Sequence, residues 1–134
     1  MTPVFADTSY FIALLSPTDE AFDLALEFSS LVDRFVTSEW VLLELADGLA
    51  DTSSRKQFSV LRAGLLSNAL VEVVPLEMVL HQRAVTLYEA RPDKEWSLTD
   101  CVSFIIMAER TMTEALTTDH HFEQAGFVAL LKDD

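Results

Sequence analysis

The chain predicts an α/β sandwich built on a mainly parallel sheet. Short, continuously apolar runs of strand length alternate with longer segments of helical periodicity. Its 134 residues, half of them apolar, suit one compact domain over 1–134. Acidic residues stand at the ends of strand-like runs, the edge where open α/β sheets bind ligands.

Residues 3–7 read as a buried strand ending at Asp7. Helical segments follow over 8–15 and 18–33, separated by Pro17, with Asp19 and Glu20 near the second start, where a helix dipole favours acids. Residues 34–37 form a second strand, and Thr37 or Ser38 caps a helix to Asp51. Thr52-Ser53-Ser54 caps another helix to Ser67. Residues 70–74 form a third strand closed by Pro75, and the next helix runs to Ala90 and stops before Pro92. Ser97-Leu98-Thr99-Asp100 has the form of a capping box. It opens a helix to Thr111 that is apolar almost all round, which predicts a central position. Residues 114–118 form a fourth strand, 119–124 a short helix stopped by Gly126, and 127–131 a fifth strand.

Composition excludes several classes. No apolar run approaches the ~20 residues of a membrane span. The N-terminus enters a strand at once without a basic leader, which argues against a signal peptide. Cys101 is alone, so no internal disulfide forms and a reducing, cytoplasmic setting is expected. Twenty-two acids oppose nine bases for a net charge of −13, and only Arg55, Lys56 and Arg62 cluster. That balance disfavours unaided binding to a polyanion.

Four acids lie in or beside apolar runs: Asp7, Glu44, Asp100 and Asp119. A carboxylate is costly there unless something satisfies it. Brought together, they would bind a hard cation such as Mg²⁺ or Mn²⁺ through oxygen. If the first and fourth strands are neighbours, Asp7, Asp100 and Asp119 meet at one sheet edge, and Glu44 must reach over from its helix. Each acid has a plainer reading. Asp7 and Asp119 suit helix caps, Asp100 the capping box, and Glu44 a solvated stripe with Asp47 and Asp51. Against that stripe, Leu43 and Leu45 flank Glu44, and Gly48 one turn on would permit close approach. Thr8, Ser9, Thr99, Thr117 and Thr118 crowd the presumed cluster, where their hydroxyls could orient carboxylates. His120 and His121 are possible ligands, though a histidine near a helix start is more often structural. His81 has no acid partner in view. Cys101 reads as an inert buried thiol, and Trp40 and Trp96 as packing residues, with Trp96 also able to line a pocket.

Other chemistries are absent. There is no Gly-rich phosphate loop, no Cys/His zinc spacing and no Gly-x-Ser-x-Gly elbow. Lys132 after the last strand suits a phosphotransfer receiver domain, but that fold also needs an acidic pair near Asp7 and an Asp ending the third strand, and neither is present. A haloacid-dehalogenase-type phosphatase needs a second Asp where Ser9 stands.

Phe5-Ala6-Asp7-Thr8-Ser9, the run Ser38 to Leu45 around Glu44, Ser97-Leu98-Thr99-Asp100 and Leu116-Thr117-Thr118-Asp119-His120-His121-Phe122 occur in this order across nearly the whole chain. Together they resemble a PIN-domain ribonuclease, specifically the toxin of a VapBC-type toxin–antitoxin pair. The resemblance implies a three-layer α/β/α fold with a roughly five-stranded sheet, Mg²⁺ or Mn²⁺ dependence and endoribonuclease activity leaving 5′-phosphate ends. It also implies a homodimer whose active site is covered by a basic antitoxin tail. Asp7, Glu44, Asp100 and Asp119 map onto the family's acids, serving as metal ligands and catalytic groups, and Thr117 onto its usual hydroxyl residue. The alternative is a PIN-like binding module that has kept the fold and lost turnover.

Overall fold

A computed structural model describes residues 2–132. Its elements are β1 (Val4–Ala6), α1 (Thr8–Leu15), α2 (Phe22–Leu31), β2 (Phe35–Ser38), α3 (Glu39–Gly48), α4 (Arg55–Ser67), β3 (Val71–Val74), α5 (Met78–Ala90), α6 (Leu98–Glu109), β4 (Glu114–Leu116), α7 (His120–Gln124) and β5 (Val128–Ala129). The five strands form one sheet in the order β3-β2-β1-β4-β5, and every neighbouring pair is parallel. The mainly parallel, five-stranded α/β sandwich expected from the sequence is therefore the fold observed.

The strand order places the site. From β1 the chain moves outward through β2 to β3, then returns past β1 to β4 and β5. Right-handed crossovers put the helices of those two excursions on opposite faces of the sheet. Loops leaving the carboxyl ends of β1 and β4 thus diverge and leave a crevice between them. The pairing Phe5↔Ala115 and Ala6↔Leu116 brings those ends level. α3 starts directly at the end of β2 and packs against both α1 and α6, linking the two layers at this edge.

Hydrophobic burial explains the arrangement. All three residues of β1 are buried, as are seven of the twelve in α6, the central helix its pattern predicts. Phe5 and Phe122 are fully covered, and Phe104 meets Phe122 and Trp96 edge-on at centroid distances of 5.0 Å. Aromatic burial of this kind anchors α7, a helix too short to be stable alone.

Several boundaries move for local reasons. α2 begins at Phe22 rather than near 18, because Asp19 Oδ1 accepts the Ala21 N–H at 2.8 Å and forms a turn that competes with helix. α3 ends at Gly48, short of the expected Asp51, whose carboxylate instead accepts the Ser53 and Ser54 hydroxyls. Ser54 sits at the N-cap of α4 but spends its hydroxyl there, so it makes no cap bond. α6 ends at Glu109 rather than Thr111, and β4 and β5 are shorter than 114–118 and 127–131. Gly126 closes α7 with φ of +96°, a left-handed conformation that glycine adopts freely.

Candidate active site

Asp7 follows the last residue of β1 and occupies the N-cap position of α1, yet its side chain makes no cap bond. The capping reading fails because the carboxylate turns to β4. Thr117 Oγ1 donates to Asp7 Oδ2 at 2.8 Å, and Ser9 Oγ donates to the same oxygen at 3.3 Å. Asp7 is only 5% exposed. Burial pushes its pKa up to about 7, against the pull of the Thr117 hydrogen bond, and the charges of Asp100 and Glu44 push the same way.

Asp100 reaches the crevice from the first turn of α6. The capping box forms as expected: Asp100 N–H donates to Ser97 Oγ at 3.0 Å, and Ser97 N–H donates to Asp100 Oδ2 at 3.1 Å. Burial again raises the carboxyl pKa, opposed by the Ser97 N–H, while the charge of Asp119 adds to the rise. Capping and membership of the cluster thus coexist in one side chain.

Asp119 caps α7 by accepting the His121 N–H at 2.9 Å. Its own N–H donates to Thr117 Oγ1 at 3.0 Å. Thr117 therefore ties the first acid to the backbone of the last. Ser9 closes the loop by accepting the Thr118 N–H at 3.0 Å.

Glu44 is exposed on α3 but joins the group through Thr8, whose Oγ1 donates to Glu44 Oε1 at 2.5 Å. The two sequence arguments for Glu44 fare unevenly. Leu45 is buried while Leu43 is 56% exposed, and a Cβ at Gly48 would meet nothing within 4 Å, so close approach is not that glycine's role. The hydroxyl of Thr8 brings Glu44 in instead.

The four carboxylates thus form an electrically coupled series, with Asp7 sensing Glu44 and Asp100, and Asp100 sensing Asp119. Among the described residues no lysine or arginine pairs with any of them. Among the described residues the donors already within 4.8 Å of one another are those of Asp119, His120 and His121, so the four carboxylates line one crevice without converging on a single point. Oxygen donors without a lysine or arginine partner are the chemistry that suits a hard divalent cation.

The chain's third element of order here is His121, whose bridging role the sequence did not reveal. Its Nδ1 lies 3.1 Å from Asp100 Oδ2 and 3.3 Å from Asp119 Oδ1. The adjacency of His121 to Asp119 was visible, but its reach to Asp100 depends on how α6 and α7 pack. Thr99 contributes a backbone carbonyl, which accepts the Ser103 hydroxyl at 3.0 Å. His81 lies apart on α5 beside Trp40, Leu76 and Met78. Trp96 is a packing residue whose indole N–H donates to Gln124 at 3.0 Å. Cys101 is buried, with its thiol pushed up to about 11 by burial and by Asp100, which makes it a poor nucleophile.

Solved structures share this fold. VapC20 of Mycobacterium tuberculosis, described as a sarcin-ricin loop cleaving toxin, matches with a TM-score of 0.83 and 26% identity, covering 93% of this chain and 96% of its own. FitAcB from Neisseria gonorrhoeae matches at 0.63 and 18% identity, covering 94% of each chain. VapBC2 from Rickettsia felis, solved bound to a DNA fragment from its promoter, matches at 0.65 and 14% identity, covering 94% of this chain and 96% of the other. The latter two share the fold. No curated protein matches the sequence. The PIN domain family model matches residues 4–128, and the chain belongs to the PIN domain family.

Proposed function

We propose that this chain, as one PIN-like domain over 1–134, is a metal-dependent endoribonuclease and the toxin of a toxin–antitoxin pair. The observation that carries the reading is the coupled series Glu44–Asp7–Asp100–Asp119 in the β1/β4 crevice of a PIN fold. The likeness to the sarcin-ricin loop cleaving VapC20 supports RNA as substrate, and the likeness to VapBC complexes supports an antitoxin partner. Among the described residues no helix is long and apolar enough to cross a membrane. A cytoplasmic homodimer is part of the same reading.

In this proposal Asp7, Asp100, Asp119 and Glu44 hold Mg²⁺ or Mn²⁺ and act on the phosphodiester. Bound there, the cation supplies an acidified water and charge on a phosphate oxygen. Thr117, Ser9 and Thr8 keep the carboxylates oriented. Glu44, the exposed member, would take the proton of the attacking water as its oxygen adds to phosphorus and the bond to the leaving oxygen breaks. The net charge of −13 favours a second reading, a PIN-like module without turnover.

Purified protein incubated with a sarcin–ricin loop oligonucleotide and with a mixed RNA pool separates the two. Cleavage that needs Mg²⁺ or Mn²⁺, stops with chelator and is lost in Asp100→Asn supports the nuclease. Asn can still accept the Ser97 N–H, so the fold should survive that change. Wild-type cleavage by Asp100→Asn would show the assigned site to be wrong.

A further inference from the structure

His120 and His121 bring nitrogen to a site otherwise made of oxygen. Asp119 Oδ1 faces both imidazoles, at 3.3 Å from His121 Nδ1 and 3.7 Å from His120 Nδ1. His121 Nδ1 also stands 3.1 Å from Asp100 Oδ2. One donor atom from each of Asp119, His120 and His121 lies within 4.8 Å of the others. An ion bound at about 2.1 Å from each donor holds neighbouring donors roughly 3.0–3.5 Å apart. The Asp119–His121 contact already has that spacing. The Asp119–His120 contact, at 3.7 Å, reaches it by a small rotation of His120, whose side chain is 59% exposed. His121 is 17% exposed and held at the mouth of the crevice, so its ring is fixed while still reachable.

We propose that Asp119, His120 and His121 form a mixed nitrogen–oxygen cation position that prefers a borderline transition ion, such as Zn²⁺ or Co²⁺, over Mg²⁺, with Asp100 holding the His121 ring. Imidazole suits Zn²⁺ and its neighbours, whereas Mg²⁺ takes oxygen and water. This inference rests on the reading that the acids hold a cation, and adds a second position that uses one of the same carboxylates. A transition ion seated there competes with Mg²⁺ for Asp119.

The test uses the full chain as purified. Zn²⁺ and Mg²⁺ affinities are measured by calorimetry, and Co²⁺ binding by its visible absorption, for wild type, His120→Gln and His121→Gln. Each variant should lose Zn²⁺ affinity by roughly 10- to 100-fold. Mg²⁺ affinity should change less than about twofold, because Mg²⁺ takes oxygen ligands. Wild-type Co²⁺ should show the strong bands of a nitrogen-ligated ion, weakened in both variants. Circular dichroism checks the fold, and the exposed His120→Gln decides the matter if His121→Gln misfolds. Wild-type Zn²⁺ affinity in either folded variant overturns the proposal. Mg²⁺-dependent RNA cleavage is read separately. Cleavage without histidine-dependent Zn²⁺ binding sinks only this inference, and histidine-dependent binding without cleavage sinks only the nuclease.

Discussion

Thr117 Oγ1 donates to Asp7 Oδ2 at 2.8 Å while accepting the Asp119 N–H at 3.0 Å, so one hydroxyl joins two acids from adjacent strand ends. Thr117→Val keeps the shape and removes both bonds. The part-buried Asp119 N–H then lacks its partner and Asp7 Oδ2 keeps only the longer Ser9 bond, a cost of about 1–3 kcal/mol. Urea unfolding should show that loss, and RNA cleavage should fall roughly 10- to 100-fold. Thr117→Ser should restore most of both. Equal stability of the Val and Ser variants would refute the bridging role.

Asp7 sets a pH dependence in the ion-free protein. Burial holds its folded pKa at about 7, above the ordinary carboxylate value of 3.8. Between those values the folded state keeps a proton that the unfolded chain has lost. Stability is therefore undiminished at acid pH, falls as pH rises from about 4 to about 7, and then levels off. The full span corresponds to roughly 4 kcal/mol. Asp7→Asn should lack this fall, so the two proteins, matched near pH 4 in chelator, should diverge by pH 8 with the variant more stable. Parallel stability–pH curves would contradict the buried, charged Asp7.

Metal should reverse that penalty. At a Mn²⁺ concentration 100 times its dissociation constant, mass action adds about 2.7 kcal/mol. Thermal melts should shift upward by several degrees in wild type, return with chelator, and shift little in Asp7→Asn or Asp100→Asn. A melt indifferent to millimolar Mn²⁺ would count against the cluster as a cation site.

On the proposed function, an antitoxin should engage the same charges. A crevice of four acids in a chain of net charge −13 draws in a basic segment. Arginine pairs bidentately with carboxylates, which makes it the expected plug. Affinity should weaken with added salt, and weaken further in Asp7→Asn and Asp119→Asn. Affinities unchanged in both variants would mean that inhibition comes from covering the groove.

Much of this was legible in the sequence because the strands are short apolar runs bounded by turn residues and acids. Asp7 and Asp119 could be placed at strand ends by inspection, and Ser97–Asp100 announced its capping box. What stayed hidden depends on tertiary contact. Glu44 is delivered by the Thr8 hydroxyl, 36 positions away, rather than by the glycine one turn on. His121 spans two helices whose packing no local pattern encodes. The late start of α2 comes from a side chain, Asp19, competing for backbone donors.

Thr117 and Asp7 are 110 residues apart in the chain. Their meeting requires β1 to wait, already made, until β4 arrives beside it. Closing so long a loop is slow compared with forming the helices in between. During synthesis Asp7 is therefore exposed early as an ordinary acid, and the crevice comes into being only after Phe122 has left the ribosome and seated α7. A nascent or truncated chain ending before β4 carries three of the four acids, Asp7, Glu44 and Asp100, yet has no complete crevice, so the timing of site assembly is written into the strand order.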